Sequence, residues 1–404
     1  MISENNLLGL GTALFLAAVP LTGCAGSAGP MQKQYLFVWA ADQDAEDSDF
    51  LAVIDANPAS PSYGQVLRTL PVGAVGTMPH HTEHVMPETD VLFANGFDAG
   101  ATFLIDLSHP EHPVLRNSIT SAGDFTYPHS FERLPSGNVL ATFQNRGDGN
   151  TEAGGLVEID DHGVVLRSAS AADPADPSLR PYSLAVIPVL DRLVSTTADM
   201  RMEHISRTIQ VWRLSDLTLL STVELPTGDR GDESVLTGEP RVLSDGQTVL
   251  VGTFSCGLYL IENLDGPRPA GRLVHSFPFG TVPECALASV IGNYWIQTVP
   301  AANALISMDV SDPKHPVEVD RLELGEGAEP HWISASADGG RIAITGYGSM
   351  LGTVVLATFE VSTGRLSLDD SFTTEPGPGV SFLRESWPHG RTGPAIPHGV
   401  VFSR

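Results

Sequence analysis

Pro128-His129-Ser130-Phe131-Glu132-Arg133-Leu134, then Pro135-Ser136-Gly137, then Asn138-Val139-Leu140-Ala141-Thr142-Phe143, is two short β-type runs joined by a tight turn. The chain adds two more such runs, Gly155-Leu156-Val157-Glu158-Ile159-Asp160 and Gly163-Val164-Val165-Leu166-Arg167, to make a unit of four. The unit recurs after Pro330, as His331 to Ala335, a turn at Asp338-Gly339, Arg341 to Gly346, Thr353 to Phe359 and Gly364 to Leu368. Pro79, Pro128, Pro181, Pro240, Pro283, Pro330 and Pro397 each open a short apolar stretch, at separations of 43 to 67 residues. That period suits one four-stranded blade of a propeller.

The unit opened by Pro397 has a single strand, Gly399 to Phe402, before the chain ends. Three unclaimed runs stand near the other terminus, Tyr35 to Ala40, Phe50 to Ala56 and Gln65 to Val72. Pairing the last strand with these three closes a ring and removes the exposed edge that invites aggregation. The expectation is one all-β, seven-bladed propeller over residues 35–404.

Residues 1–23 read as a lipoprotein-type signal peptide and 24–34 as a tether. Leu7 to Leu21 is apolar but short for a bilayer span, and Leu21-Thr22-Gly23-Cys24 resembles the bacterial lipobox, whose cysteine is lipidated. The segment ahead of it, Met1 to Asn6, carries Glu4 and no Lys or Arg, and an ordinary secretory signal cut near Ala25 to Ala28 is the alternative. Both readings place the mature chain outside the cytoplasm, in the bacterial periplasm or on the cell surface; in the lipobox reading it touches membrane only through a lipid on Cys24. The formal charge of −26 repels phosphate backbones and argues against nucleic acid. Cys256 and Cys285 then remain; the blade register puts both on one face at the boundary of blades four and five. A disulfide is the expectation, with a reactive or metal-binding thiol or an inert buried pair as alternatives.

The chemistry is expected where the inner strands meet. The residues after the seven prolines are His80, His129, Tyr182, Arg241, Glu284, His331 and His398. Equivalent positions of a circular repeat lie at one distance from the axis, so the seven form a ring near one channel mouth. Four histidines from adjacent blades, in a chain with 13 His among 404 residues, point to a nitrogen-only metal site, with hydrogen bonds to loop backbone that cap the inner strands, or a metal-free proton-transfer site, as the alternatives. Copper, iron, manganese and zinc are the candidate ions. Glu284, Arg241 and Tyr182 would face it and polarise substrate or move protons, or Arg241 and Glu284 would form an ion pair closing the channel. Strand alternation sets His80 and His84 on one side and His81 and Glu83 on the other, so His81 is either a second contact and proton donor or an outer residue between blades. His109, His112 and His315 lie in turns assigned to the rim. His204, with Met200 and Met202, is placed on a loop over the ring.

The Pro-His blade starts, Pro330-His331-Trp332-Ile333, Asp338-Gly339-Gly340-Arg341-Ile342-Ala343-Ile344-Thr345-Gly346 and Gly393-Pro394-Ala395-Ile396-Pro397-His398 resemble the selenium-binding protein and methanethiol oxidase family. Asp106-Leu107-Ser108 and Asp309-Val310-Ser311-Asp312-Pro313 are similar as well. The resemblance implies a copper-dependent oxidation of small thiols in the periplasm, with histidine ligands in the channel; the family's cysteine-pair motif is absent. Two other classes stay open: a metal-dependent lyase or hydrolase, and a non-catalytic binding or scaffold propeller.

Overall fold

The computed structural model describes residues 33–147, 151–277, 284–374 and 377–404. Pro283, Cys24, the signal segment and most of the tether lie outside these. The described chain forms seven antiparallel sheets, six built on four consecutive strands and one on the last strand with the first three; one of the six takes an extra short strand, Val380–Ser381. The only helical pieces among the described residues are two 3-10 turns, Pro188–Leu190 and Pro300–Ala302.

The inner strands of blades one to seven are Pro79–Thr82, Phe125–Arg133, Pro181–Ile187, Thr237–Val242, Ala288–Ile291, Ala328–Ala335 and Ala395–Phe402. Blade seven is completed from the other terminus: Ala395–Phe402 pairs with Tyr35–Asp42, then come Ser48–Asp55 and Val66–Val75. Leu36 opposes Phe402 and Val38 opposes Val400, so the two ends of the chain are joined by a hydrogen-bonded ladder.

Burial follows position within the blade. Second and third strands are packed on both faces by neighbouring blades, as in Val91–Gly96 and Gly155–Ile159, where every residue is buried. Outer strands such as Val114–Ile119 alternate exposed and half-buried residues. Tryptophans tie neighbouring blades: Trp39 Nε1 donates to Asn95 O at 2.7 Å and Trp332 Nε1 to Val400 O at 2.9 Å.

A bulge in the inner strands sets the geometry of the channel. In blades one, two, three and seven two residues after the proline have no cross-strand partner, and in blade six one lacks it. These residues point at the axis while the ladder continues on either side. A side chain on the second strand holds the first bulge residue of the next blade by its carbonyl. Asn95 reaches His129 O, Thr142 reaches Tyr182 O, Thr196 reaches Gly238 O, Thr298 reaches His331 O and Thr345 reaches His398 O.

Candidate metal centre

These contacts fix which residues share the ring. In blades one, two, three, six and seven the bulge follows the proline directly, so His80, His129, Tyr182, His331 and His398 occupy equivalent places. In blade four the bulge precedes Pro240: Thr237 pairs with Thr253 and Pro240 with Val251. Pro240 therefore matches Phe131 and Leu184, which lie beyond the bulge and pair with Ala141 and Ser195. Gly238, not Arg241, is the ring residue of blade four. In blade five Ala288 pairs with Gln297, and Ala286 N bonds Thr298 O, which brings Ala286 rather than Glu284 to this level. A proline on the channel side of an inner strand lacks only an N–H that no neighbouring strand would accept, so its position can slide by three residues without cost to the ladder.

The four ring histidines converge. Ring centroids lie 4.1 Å apart for His80 and His398, 5.0 Å for His331 and His398, and 5.1 Å for His80 and His129. His81 joins them, 4.1 Å from His129, because it is the second bulge residue and points into the channel instead of between blades. His84 and Glu83 keep to the expected sides: His84 is in the channel, stacked at 4.3 Å on Trp332, while Glu83 leaves it to pair with Arg133. Ligand atoms of His80, His331 and His398 lie within 4.8 Å of one another, as do those of His80, His81 and His129.

Hydrogen bonding orients the imidazoles. His129 Nδ1 donates to Tyr182 O at 2.8 Å and His398 Nδ1 to His80 O at 2.6 Å; a carbonyl only accepts, so the lone pair of each ring is on Nε2. Nε2 of His80, His81, His129 and His331 is buried without a hydrogen-bond partner, and His398 Nε2 meets Tyr347 Oη at 3.1 Å. Burial, reinforced by the neighbouring imidazoles, holds His80, His81 and His331 well below the usual histidine range. Burial takes His129 down to about 3 and His398 to about 4, against the backbone carbonyls that favour their charged forms. At neutral pH the cluster is thus a set of uncharged imidazoles with unused nitrogen lone pairs, a donor set suited to a transition metal.

A cavity of about 340 Å³ opens over the ring, lined by His80, Tyr182, Met200, Phe254, Glu284 and Tyr347 among others. Glu284 stands at its wall with its carboxyl pushed up by burial and by Glu329. Tyr182 packs on His129 at 4.0 Å, and its hydroxyl is buried without a partner. Met202 also lines the cavity, and His204 does not. His109, His112 and His315 are exposed, away from the cluster.

Arg241 does not face this cavity. Its guanidinium pairs with Glu239 at 2.7 Å, donates to Ala288 O and to His84 Nε2, and lines a second cavity at the other end of the channel. The Arg241–Glu284 ion pair is therefore not formed. Glu239, Trp332 and Tyr347 were not singled out in the sequence; the bulge that aims Glu239 inward leaves no periodic signal, and Trp332 reads as ordinary core. Cys256 and Cys285 are bonded, with Cα atoms 5.1 Å apart, and both sulfurs are buried. Each is adjacent to a residue of the cavity wall, Ser255 and Glu284.

Seven closed blades around a channel filled by buried imidazoles define the class, an all-β propeller with a nitrogen-only candidate metal centre. The chain is homologous to proteins named methanethiol oxidase and selenium-binding protein. It is 24% identical over 343 residues to a methanethiol oxidase of Hyphomicrobium, covering 78% of this chain and 75% of that one. A selenium-binding protein 2 of Arabidopsis thaliana is 26% identical over 155 residues, 34% of this chain and 32% of its own. Among solved structures, a hypothetical selenium-binding protein from Sulfolobus tokodaii superposes with a TM-score of 0.73 at 16% identity, covering 93% of this chain and 94% of that one. A periplasmic gluconolactonase of Pseudomonas aeruginosa shares the fold at a TM-score of 0.65 and 12% identity, over 92% and 99% of the two chains. No family model matches the sequence.

Proposed function

We propose that this protein is a metal-dependent oxidoreductase, with copper the favoured ion, that oxidises a small thiol in the channel of an exported, lipid-anchored propeller. The observation that carries the reading is the set of buried Nε2 atoms on His80, His81, His129 and His331 with no partner among the described residues. A buried polar atom left unpaired costs about 1–3 kcal/mol, and several in one place call for a ligand that satisfies them together. A bound copper ion supplies a one-electron couple between sulfur and dioxygen. His80, His129, His331 and His398 would hold it, with His81 as a fifth donor within reach.

The remaining groups suit a small, weakly polar substrate. Met200, Met202, Leu236 and Phe254 give the near cavity an apolar wall. Tyr182 and Tyr347 place hydroxyls beside the imidazoles, and their phenols stay protonated: burial raises Tyr182 well above its ordinary value and takes Tyr347 to about 12. The names of the homologues agree with thiol oxidation.

The test is dioxygen uptake on adding methanethiol to copper-loaded protein. Uptake is expected for the wild type and for His109→Ala, and its loss for His129→Ala and His398→Ala. Uptake that is absent from the wild type, or unchanged in both channel variants, contradicts the reading.

A further inference from the structure

The inner strands deliver a second set of side chains to the other end of the channel. Three residues past the ring position stand Glu132, Ala185, Arg241 and Ser289, opposite Leu140, Val194, Leu250 and Ile296 on the second strands. All four line the far cavity, whose volume of about 550 Å³ is that of a small-molecule site. Its walls share no residue with those of the near cavity.

Most polar groups on these walls are already satisfied within the protein. Arg241 pairs through Nη1 with Glu239 at 2.7 Å and donates from Nε to Ala288 O at 2.9 Å and from Nη2 to His84 Nε2 at 2.9 Å. A guanidinium only donates, so the lone pair of His84 Nε2 is occupied by that bond. Ser336 Oγ donates to Asp338 Oδ1 at 2.6 Å. Glu132 is the exception: it is half-buried at the cavity wall, and its carboxyl takes no hydrogen bond from any described residue. Burial lifts that carboxyl to about 7; Arg241 opposes the rise, and Glu83 and Glu239 add to it. Asp338 brings a second carboxylate to the exposed rim, and the rest of the wall is apolar, with Val186, Val242, Val290, Ile291 and Val361.

We infer that the far cavity binds a small organic ammonium ion, its nitrogen against Glu132 and its hydrocarbon part along Val186, Val242, Val290 and Ile291. The ligand has to supply what the wall lacks, which is N–H donors and positive charge, and it has to cover apolar surface at the same time. An ammonium group gains a charge-assisted hydrogen bond to Glu132, its chain is removed from water, and the net charge of −26 draws it in. A bare metal ion would meet too few oxygens in a mostly apolar pocket to replace its water, and among the described residues the groups able to hold one are confined to the imidazoles. An anion would face Glu132 and Asp338 with a guanidinium whose charge Glu239 already balances. The site is independent of the thiol-oxidising reading, because it uses none of the ring histidines and needs no metal.

Isothermal titration calorimetry of the full chain with n-hexylammonium at pH 8 tests it, before and after a chelator has removed metal. At this pH the alkylamine is protonated and Glu132, at about 7, is mostly ionised. Binding to a single site is expected, equal with and without metal, and tightening about threefold for each methylene added between n-propylammonium and n-hexylammonium. Hexanoate should not bind. Glu132→Gln should weaken n-hexylammonium at least about tenfold, and Asp338→Asn, at the exposed rim, about two- to threefold. Glu132→Gln removes a carboxyl that has no partner to lose, and a urea midpoint no lower than that of the wild type shows its fold intact. A wild type that binds no ammonium, hexanoate bound as tightly, binding undiminished in Glu132→Gln, or binding lost with the metal each overturns the inference and leaves thiol oxidation standing.

Discussion

Single residues in the channel are held in states that water would not allow, and Glu132 is the clearest measure of the energy involved. Burial lifts its carboxyl from 4.5 to about 7. A group whose folded pKa is raised contributes stability that is fully present below its unfolded value and lost as pH rises through the folded one. Glu132 is thus neutral at pH 4 in both states, and by pH 8 its ionisation favours unfolding. Glu132→Gln should leave the melting temperature unchanged near pH 4 and raise it at pH 8, by a stabilisation on the order of 2 kcal/mol. Melting curves at the two pH values decide it; an equal shift at both contradicts the buried-carboxyl assignment. The histidines were legible as residues because Pro-His recurs at the blade period. Glu132 and Glu239 were not, since a carboxylate on a strand reads as a solvated face until the neighbouring blades are in place.

At the scale of the element, the inner strand with its bulge decides what reaches the axis. Two consecutive residues point inward where simple alternation allows one, which is how His80 and His81 both enter the cluster. Proline marks the start of that bulge in five blades, so the ring was readable there. In blade four the proline lies past the bulge, and the reading put Arg241 three residues out of place; in blade five Glu284 stands two residues before the ring position. The true ring residues of those blades, Gly238 and Ala286, are small and leave that side of the axis without long side chains. The near cavity spreads toward it, past Leu236, Phe254 and Ser255. The Cys256–Cys285 bond closes the same wall, with a sequence separation of 29. In the chain-entropy account a loop of this length contributes roughly 3–4 kcal/mol. Replacing both cysteines by serine should lower the urea midpoint accordingly, and an unchanged midpoint would show that the bridge stabilises nothing.

Across the whole molecule, the seven-fold closure does two things at once. Pairing Ala395–Phe402 with Tyr35–Asp42 removes the sheet edge that either terminus alone would expose. It also delivers His398 from the last strand into a cluster whose other members come from blades one, two and six. The closure was legible because the four-run unit breaks off after one strand at the end of the chain and three matching runs stand near the start. The convergence of imidazoles followed from it by symmetry alone. The central claim is that these imidazoles hold a metal, and elemental analysis of protein purified from the producing cells tests it most directly. The account predicts about one transition-metal ion per chain, copper foremost, as four converging imidazoles form one nitrogen-only site. Single alanine substitutions at His80, His129, His331 and His398 should each lower that content, and His315→Ala should not. A wild type without metal, or four channel variants that keep it in full, would contradict the account.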